Sequence, residues 1–263
     1  MGGMPIKINI KKENNTMENQ NKYLLLARRA REEDNAEDAK KYYDMVRTED
    51  PDNVEAKFFY SYYRMFSDTQ GHAFSNFVNF CKGIKSTVAM VIGSNDSEAE
   101  KKAFLLTIIN CLKVAYDSAI SANKNIGGSN GREIVLTYHA TNTEMYPAIL
   151  AKYGNDTDFL FAYYEFKVFE IEHINYMHGH MLKYKLGDEI ESKYSSEPKL
   201  MAFALKVWKD NIAKQQYAWG TSEAKECPGY PEKYAEKIKK YDPAYQMPAR
   251  TQSQIGCIKF GKK

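Results

Sequence analysis

Residues Asn21 to Pro51, NKYLLLARRAREEDNAEDAKKYYDMVRTEDP, restrict the fold more than any other stretch of the chain. Tyr23, Leu26, Ala27 and Ala30 recur on one helical face, Ala39, Tyr43 and Val46 recur on a second, and Asp50-Pro51 stops the run. The pattern predicts a short helical hairpin that turns near Asp34 to Ala36, where Asp and Asn side chains satisfy backbone groups at helix ends. Alanines let two helices approach closely, while Tyr23, Leu26, Tyr43 and Val46 fill the space beside that contact. Nothing in the stretch is catalytic.

A second hairpin follows. Its first helix is expected from about Asn53 through Phe66, with Ala56, Phe59, Tyr60 and Tyr63 apolar and Ser61 small; Gly71 then precedes a helix with Ala73, Phe77 and Phe80. Together the two hairpins resemble the tetratricopeptide repeat family, whose unit of about 34 residues has an early aromatic, then Leu and a small residue on its first helix, and a small residue and an aromatic on its second. Tyr23, Leu26, Ala27, Ala39 and Tyr43 match that pattern, and Pro51 falls where the closing Pro is expected. Ala30 replaces the usual Tyr. In the second unit Tyr60, Ser61, Ala73, Phe77 and Phe80 keep the spacing, whereas Lys57 and Arg64 stand at packing positions and no closing Pro follows. The resemblance covers about residues 20–84, roughly a quarter of the chain. It implies a right-handed superhelix with a concave peptide-binding face rather than a reaction.

Two such hairpins leave apolar surface uncovered until further helices stack on them. Val88 to Ile92 is continuously apolar, and Gly93-Ser94-Asn95-Asp96 marks a turn before a helix from Glu98 to Asn123 with little polar face at its middle. Gly127 to Gly131 reads as a flexible turn; it lacks the Lys and the spacing of a phosphate-binding loop. Arg132 to His139 is a helix or a short strand, with Pro147 interrupting or starting the next element. Asp158 to Lys185 reads as one long helix, Gly187 and Pro198 bracket the next connection, Lys199 to Trp219 is helical, and Pro231 starts a short helix through Lys240. The expected fold is therefore all-α: stacked antiparallel helical hairpins, tetratricopeptide-like at the N-terminal part, followed by longer bundle-like helices. Residues 1–19 form a flexible tail or short strand, 20–92 the hairpins, 93–247 a helical continuation of the same core, and 248–263 a C-terminal tail. Ile6, Ile8 and Ile10 alternate with Lys and Asn, and Ile255 to Phe260 is the one segment they would pair with.

At 263 residues, with 43% apolar and 27% charged side chains, the chain is long and apolar enough to bury a sizeable core in one or two domains. A net charge of +3 gives no nucleic-acid footprint, and the lysines near both ends of the C-terminal region read as solvated positive faces. Cys81, Cys111, Cys227 and Cys257 form no CxxC pair, which argues for reduced thiols in a cytoplasmic protein. The first 20 residues lack a signal-peptide core, and the apolar runs read as too short and interrupted to span a bilayer.

Chemistry is sparse. Glu170 and His173 stand three apart on a predicted helix, the spacing that helical bundles use to bind paired metals, but no second Glu-x-x-His accompanies them. His173 and His178 stand five apart and His178 and His180 two apart, so neither pair stacks well on an undistorted helix, and neither His72 nor His139 has an adjacent nucleophile. The sequence therefore points to a non-enzymatic protein- or peptide-binding scaffold that needs no cofactor. Lys22, Arg29 and Arg64 would capture an acidic peptide, and Tyr60 and Asn76 would supply apolar and amide contacts. A metal-binding or enzymatic bundle centred on Glu170 and His173 is the alternative.

Overall fold

The computed structural model describes residues 22–66, 72–125, 128–174, 178–217 and 228–249. The described residues form helices joined by tight connections, with a non-helical segment at 240–249, and no strand occurs among them. Ile6 to Ile10, Ile255 to Phe260, Gly71, Gly127, Trp219, Cys227 and Cys257, all singled out in the sequence, lie outside the described residues. The chain divides into two compact units, Met1–Lys152 and Tyr153–Lys263.

The first unit begins with short helices in hairpins: α1 at residues 22–32, α2 at Ala36–Glu49 and α3 at Val54–Phe66. Ala27, Ala30, Ala39, Tyr43 and Val46 are all buried, as the hairpin pattern requires, while Tyr23 and Leu26 are half-buried. The turn falls where Asp34 adopts φ 55°, a left-handed conformation that Asp tolerates better than most residues, and Asn35 caps α2 by accepting from the Asp38 amide at 3.1 Å. Asp50 closes α2 with its amide on the Val46 carbonyl, and Asn53 caps α3 by accepting from the Ala56 amide at 2.9 Å.

The second pair departs from the expected register. Burial in α3 falls on Ala56, Phe58, Phe59 and Met65, while Lys57, Tyr60 and Ser61 are only half-buried. Tyr60 instead lies under the Arg47 guanidinium, 4.1 Å from its ring centroid. The shift has a reason in aromatic packing: Phe59 stacks on Tyr43 at 5.1 Å, and Phe58 meets Phe80 and Phe104, each at 5.7 Å. One column of rings thereby ties α2, α3, α4 and α5 together.

Longer helices follow: α4 at Ala73–Gly93, α5 at Glu98–Asn125 and α6 at Gly131–Tyr153. Ser97 and Glu100 form a reciprocal cap at the start of α5, with the Ser97 amide and hydroxyl donating to Glu100 and the Glu100 amide donating back. By length and composition α5 would suffice to cross a membrane. Lys113 and Asp117 interrupt its apolar run and are exposed, while Leu105, Ile108, Ile109, Leu112 and Ala115 are buried. Asn123 staples the α5–α6 connection: its side-chain NH2 donates to the Gly128 carbonyl at 3.0 Å, and its carbonyl accepts from the Asn130 amide at 3.2 Å. Pro147 neither interrupts nor starts an element; it lies inside α6 on the exposed side, where the loss of one helical hydrogen bond is tolerated. Tyr116 and Tyr138, 4.4 Å apart, and the Lys85–Glu144 ion pair join α6 to α5 and α4.

In the second unit the expected helix from Asp158 to Lys185 is two helices, α7 at Thr157–His173 and α8 at Gly179–Tyr194. Asp156 starts α7 by accepting from the Asp158 and Phe159 amides. Then come α9 at Pro198–Tyr217 and α10 at Tyr230–Lys239, the latter entered through Gly229 at φ 79° with Pro231 in its first turn. Gly187 is not a connector either. It lies inside α8, where a Cβ would stand 2.1 Å from Nε1 of the fully buried Trp208. The glycine lets α9 press against α8 closely enough for the Trp208 indole to donate to the Tyr184 carbonyl at 3.2 Å. Tyr184, Trp208, Ile212, Tyr234 and Ile238 form the core there.

Candidate functional site

The stripe of α1 beside its packing face carries Leu24, Arg28 and Arg31, at i, i+4 and i+7. These residues open onto a cleft of about 540 Å³ in the first unit. Its other walls come from the start of α3 with Asn53, Val54 and Glu55, the end of α4 with Val91, the turn with Ser94 and Asp96, and α5 with Glu100, Lys101, Ala103, Phe104 and Thr107. Helices α1, α3 and α5 thus share one concavity.

Glu55 organises the charges. Arg28 grips its carboxylate with Nε at 3.0 and 3.1 Å and Nη2 at 2.5 Å. Tyr43 donates its hydroxyl to Oε1 at 3.0 Å, and Arg31 approaches Oε1 to 3.5 Å while donating to the Tyr43 hydroxyl at 3.3 Å. The Arg31 guanidinium also lies over the Phe59 ring, 4.4 Å from its centroid. The hydrogen bond to Glu55 raises the Arg28 pKa, and burial followed by the charge of Glu55 pushes up that of Tyr43. Across the cleft the Ser97 hydroxyl and amide lower the Glu100 pKa, with a smaller contribution from Arg28. Asp96 is held by the Ser94 hydroxyl at 2.8 Å.

Lys101 stands apart from this pairing. Its side chain is only 8% exposed, and its ion pair with Glu98 is a long 3.5 Å, while the same Glu98 oxygen takes Lys152 at 2.9 Å. Among the described residues, three cations and three carboxylates therefore line the cleft, together with Leu24, Val54, Val91, Ala103 and Phe104. No histidine or cysteine among the described residues lines it. Such a lining can recognise a mixed apolar and charged segment; it offers no activated nucleophile.

The residues singled out in the sequence are dispersed. Lys22 and Arg29 are exposed on α1, and Arg29 pairs along its own helix with Glu33 at 2.8 Å. Tyr60 is half-buried and Arg64 exposed on α3, and Asn76 is half-buried on α4. None of the five lines the cleft. The cleft instead gathers Arg28, Arg31, Glu55, Lys101 and Phe104, which the sequence reading does not single out, although the spacing of Leu24, Arg28 and Arg31 is a second legible stripe on α1.

In the second unit Glu170 forms an ion pair with Lys167, and the His173 ring packs 4.6 Å from that of Phe169. Among the described residues no group of three His, Cys, Asp or Glu is placed to hold a metal ion. A different ionic centre joins α7, α8 and α9: Glu172 Oε1 accepts from Lys183 at 2.7 Å and from Lys214 at 2.8 Å. Burial pushes the Glu172 pKa up, but hydrogen bonds from the two lysines override it and bring it down to about 2. Burial also lowers that of Lys183. Beside this centre His180 Nδ1 lies 2.6 Å from the Asn211 side-chain oxygen, and Tyr184 donates to Gln215 at 2.6 Å. In the first unit Cys81 and Cys111 are free thiols whose pKa values burial raises to about 12, so neither is an activated nucleophile.

No protein-family model, curated protein or solved structure matches the chain.

Proposed function

We propose that the chain is a non-enzymatic helical scaffold, tetratricopeptide-like at its N-terminal side, that receives a peptide segment of a partner protein in the cleft of α1, α3 and α5. The supporting observation is that alternate helices of stacked hairpins converge there, putting Phe104 and Leu24 beside Arg28 and Lys101 in one concavity. A groove of this kind offers apolar anchoring and charge selection together, which is what recognition of a protein segment needs. Lys22 and Arg29, on the same helix as Arg28, extend the basic character along the outside of α1. The free Cys81 and Cys111 fit work in the reducing cytoplasm.

Ala103 is exposed and lines the cleft, so Ala103→Trp fills it without entering the core. Affinity capture from the cells that express the protein, run with wild type and with Ala103→Trp, tests the proposal. Loss of at least one partner from a variant with unchanged melting temperature is expected. Recovery of the same proteins by both overturns it. Charge reversal at Lys22 and Arg29 in the same assay tests whether the outer side of α1 takes part.

A further inference from the structure

Burying an ammonium is costly unless it is paired and hydrogen-bonded, and an ammonium carries three donors. Lys101 is more than nine-tenths buried and lines the cleft, yet its ion pair with Glu98 spans 3.5 Å, and Lys152 holds the same Glu98 oxygen more closely. The neighbouring Arg28 is in the opposite condition: Glu55 already occupies its fork from two sides. The cleft thus contains one cation that is under-neutralised and a pair of cations, Arg28 and Arg31, held in place by an internal carboxylate.

We propose that Lys101, assisted by Arg28, reads a single side-chain carboxylate of the bound peptide, flanked by apolar residues that pack on Phe104 and Leu24, and that Glu55 is the internal counter-ion competing for Arg28. The inference rests on the peptide-binding reading above. One carboxylate is favoured over a run of them, because Asp96 and Glu100, fixed by Ser94 and Ser97, present an anionic wall at the α4–α5 turn. An acidic side chain on Lys101 completes the ammonium's hydrogen bonding, whereas a second one meets like charge.

The test uses the full chain and calorimetric titration with an N-acetylated, C-amidated peptide carrying one Glu between Leu and Phe. Its Gln analogue, a poly-Glu peptide and the Gln analogue with a free C-terminus are the comparisons. The Glu peptide is expected to bind about tenfold more tightly than the Gln analogue, the worth of one charge-assisted hydrogen bond. Lys101→Met abolishes that difference, Lys101→Arg keeps most of it, and Glu55→Gln strengthens binding of the Glu peptide several-fold. If Lys101→Met does not fold, the Glu and Gln peptides on wild type, with Lys101→Arg, decide the matter. Equal affinity for Glu and Gln peptides, or an unchanged difference in folded Lys101→Met, overturns the inference. So does tighter binding of poly-Glu, or equal binding of the Gln peptide with a free C-terminus, which would assign the site to a terminal carboxylate. If no peptide binds while Ala103→Trp still loses its captured partner, the carboxylate inference fails and the peptide-binding reading stands; if Ala103→Trp loses nothing, that reading fails as well.

Discussion

A single methyl group measures how closely α8 and α9 approach. In Gly187→Ala the new carbon would meet the Trp208 indole at 2.1 Å, and Trp208 is fully buried, so the two helices must separate or the indole must leave its place. A loss of about 1–3 kcal/mol is expected, as for other overpacked cores, read as a lower midpoint in urea. A charge in the same unit gives a second prediction. The Glu172 pKa lies well below its ordinary 4.5, at about 2, so its ion pairs stabilise the fold above pH 4.5 and are progressively lost as the pH falls toward 2. In Glu172→Gln the acid limb of the stability profile between about pH 5 and pH 2 should be shallower than in wild type, and less stable at neutral pH. Parallel acid limbs in the two proteins would show that Glu172 does not carry this dependence.

Between elements, small polar devices decide where helices turn. Asn123 holds both Gly128 and Asn130, and a Cβ on Gly128 would collide with it at 2.3 Å. Asn123→Ala should cost about 1–3 kcal/mol through the orphaned groups and speed amide exchange at Asn130, with exchange in α2 and α3 unchanged. How much of this was legible follows from the kind of signal. The α1–α2 hairpin is written in a local pattern, since Ala27, Ala30, Ala39, Tyr43 and Val46 recur at helical spacing and every one is buried. Pro147 and Gly187 mislead because each is punctuation only when its surroundings permit. Pro147 faces outward within α6, and Gly187 is kept for a contact with Trp208, which lies in the next helix of the sequence. The break between α7 and α8 was illegible because Phe166, Phe169, Ile171 and Ile174 continue the apolar pattern up to it. The cleft was hidden for a further reason: Arg28, Glu55 and Lys101 come from three helices, and the partnership of Arg28 with Glu55 has no short-range signature.

At the scale of the whole chain, the division into Met1–Lys152 and Tyr153–Lys263 has a thermodynamic consequence. Chains with two compact units need not unfold in one step. In Gly187→Ala, part of the far-ultraviolet circular dichroism transition should stay at the wild-type urea midpoint while the fluorescence transition moves to lower urea. Equal displacement of both signals would mean that the chain unfolds as one cooperative block. Trp208 makes the comparison practicable: the chain has two tryptophans, Trp208 and Trp219, and both fall within Tyr153–Lys263. Trp208 is sealed in a core with its indole N–H committed to the Tyr184 carbonyl. The protein therefore carries an optical reporter built into one unit. The indole glow follows the fate of that unit, and among the described residues the cleft, walled by α1, α3 and α5, holds no tryptophan, so a dye of different emission attached there would give the other half of the molecule its own colour.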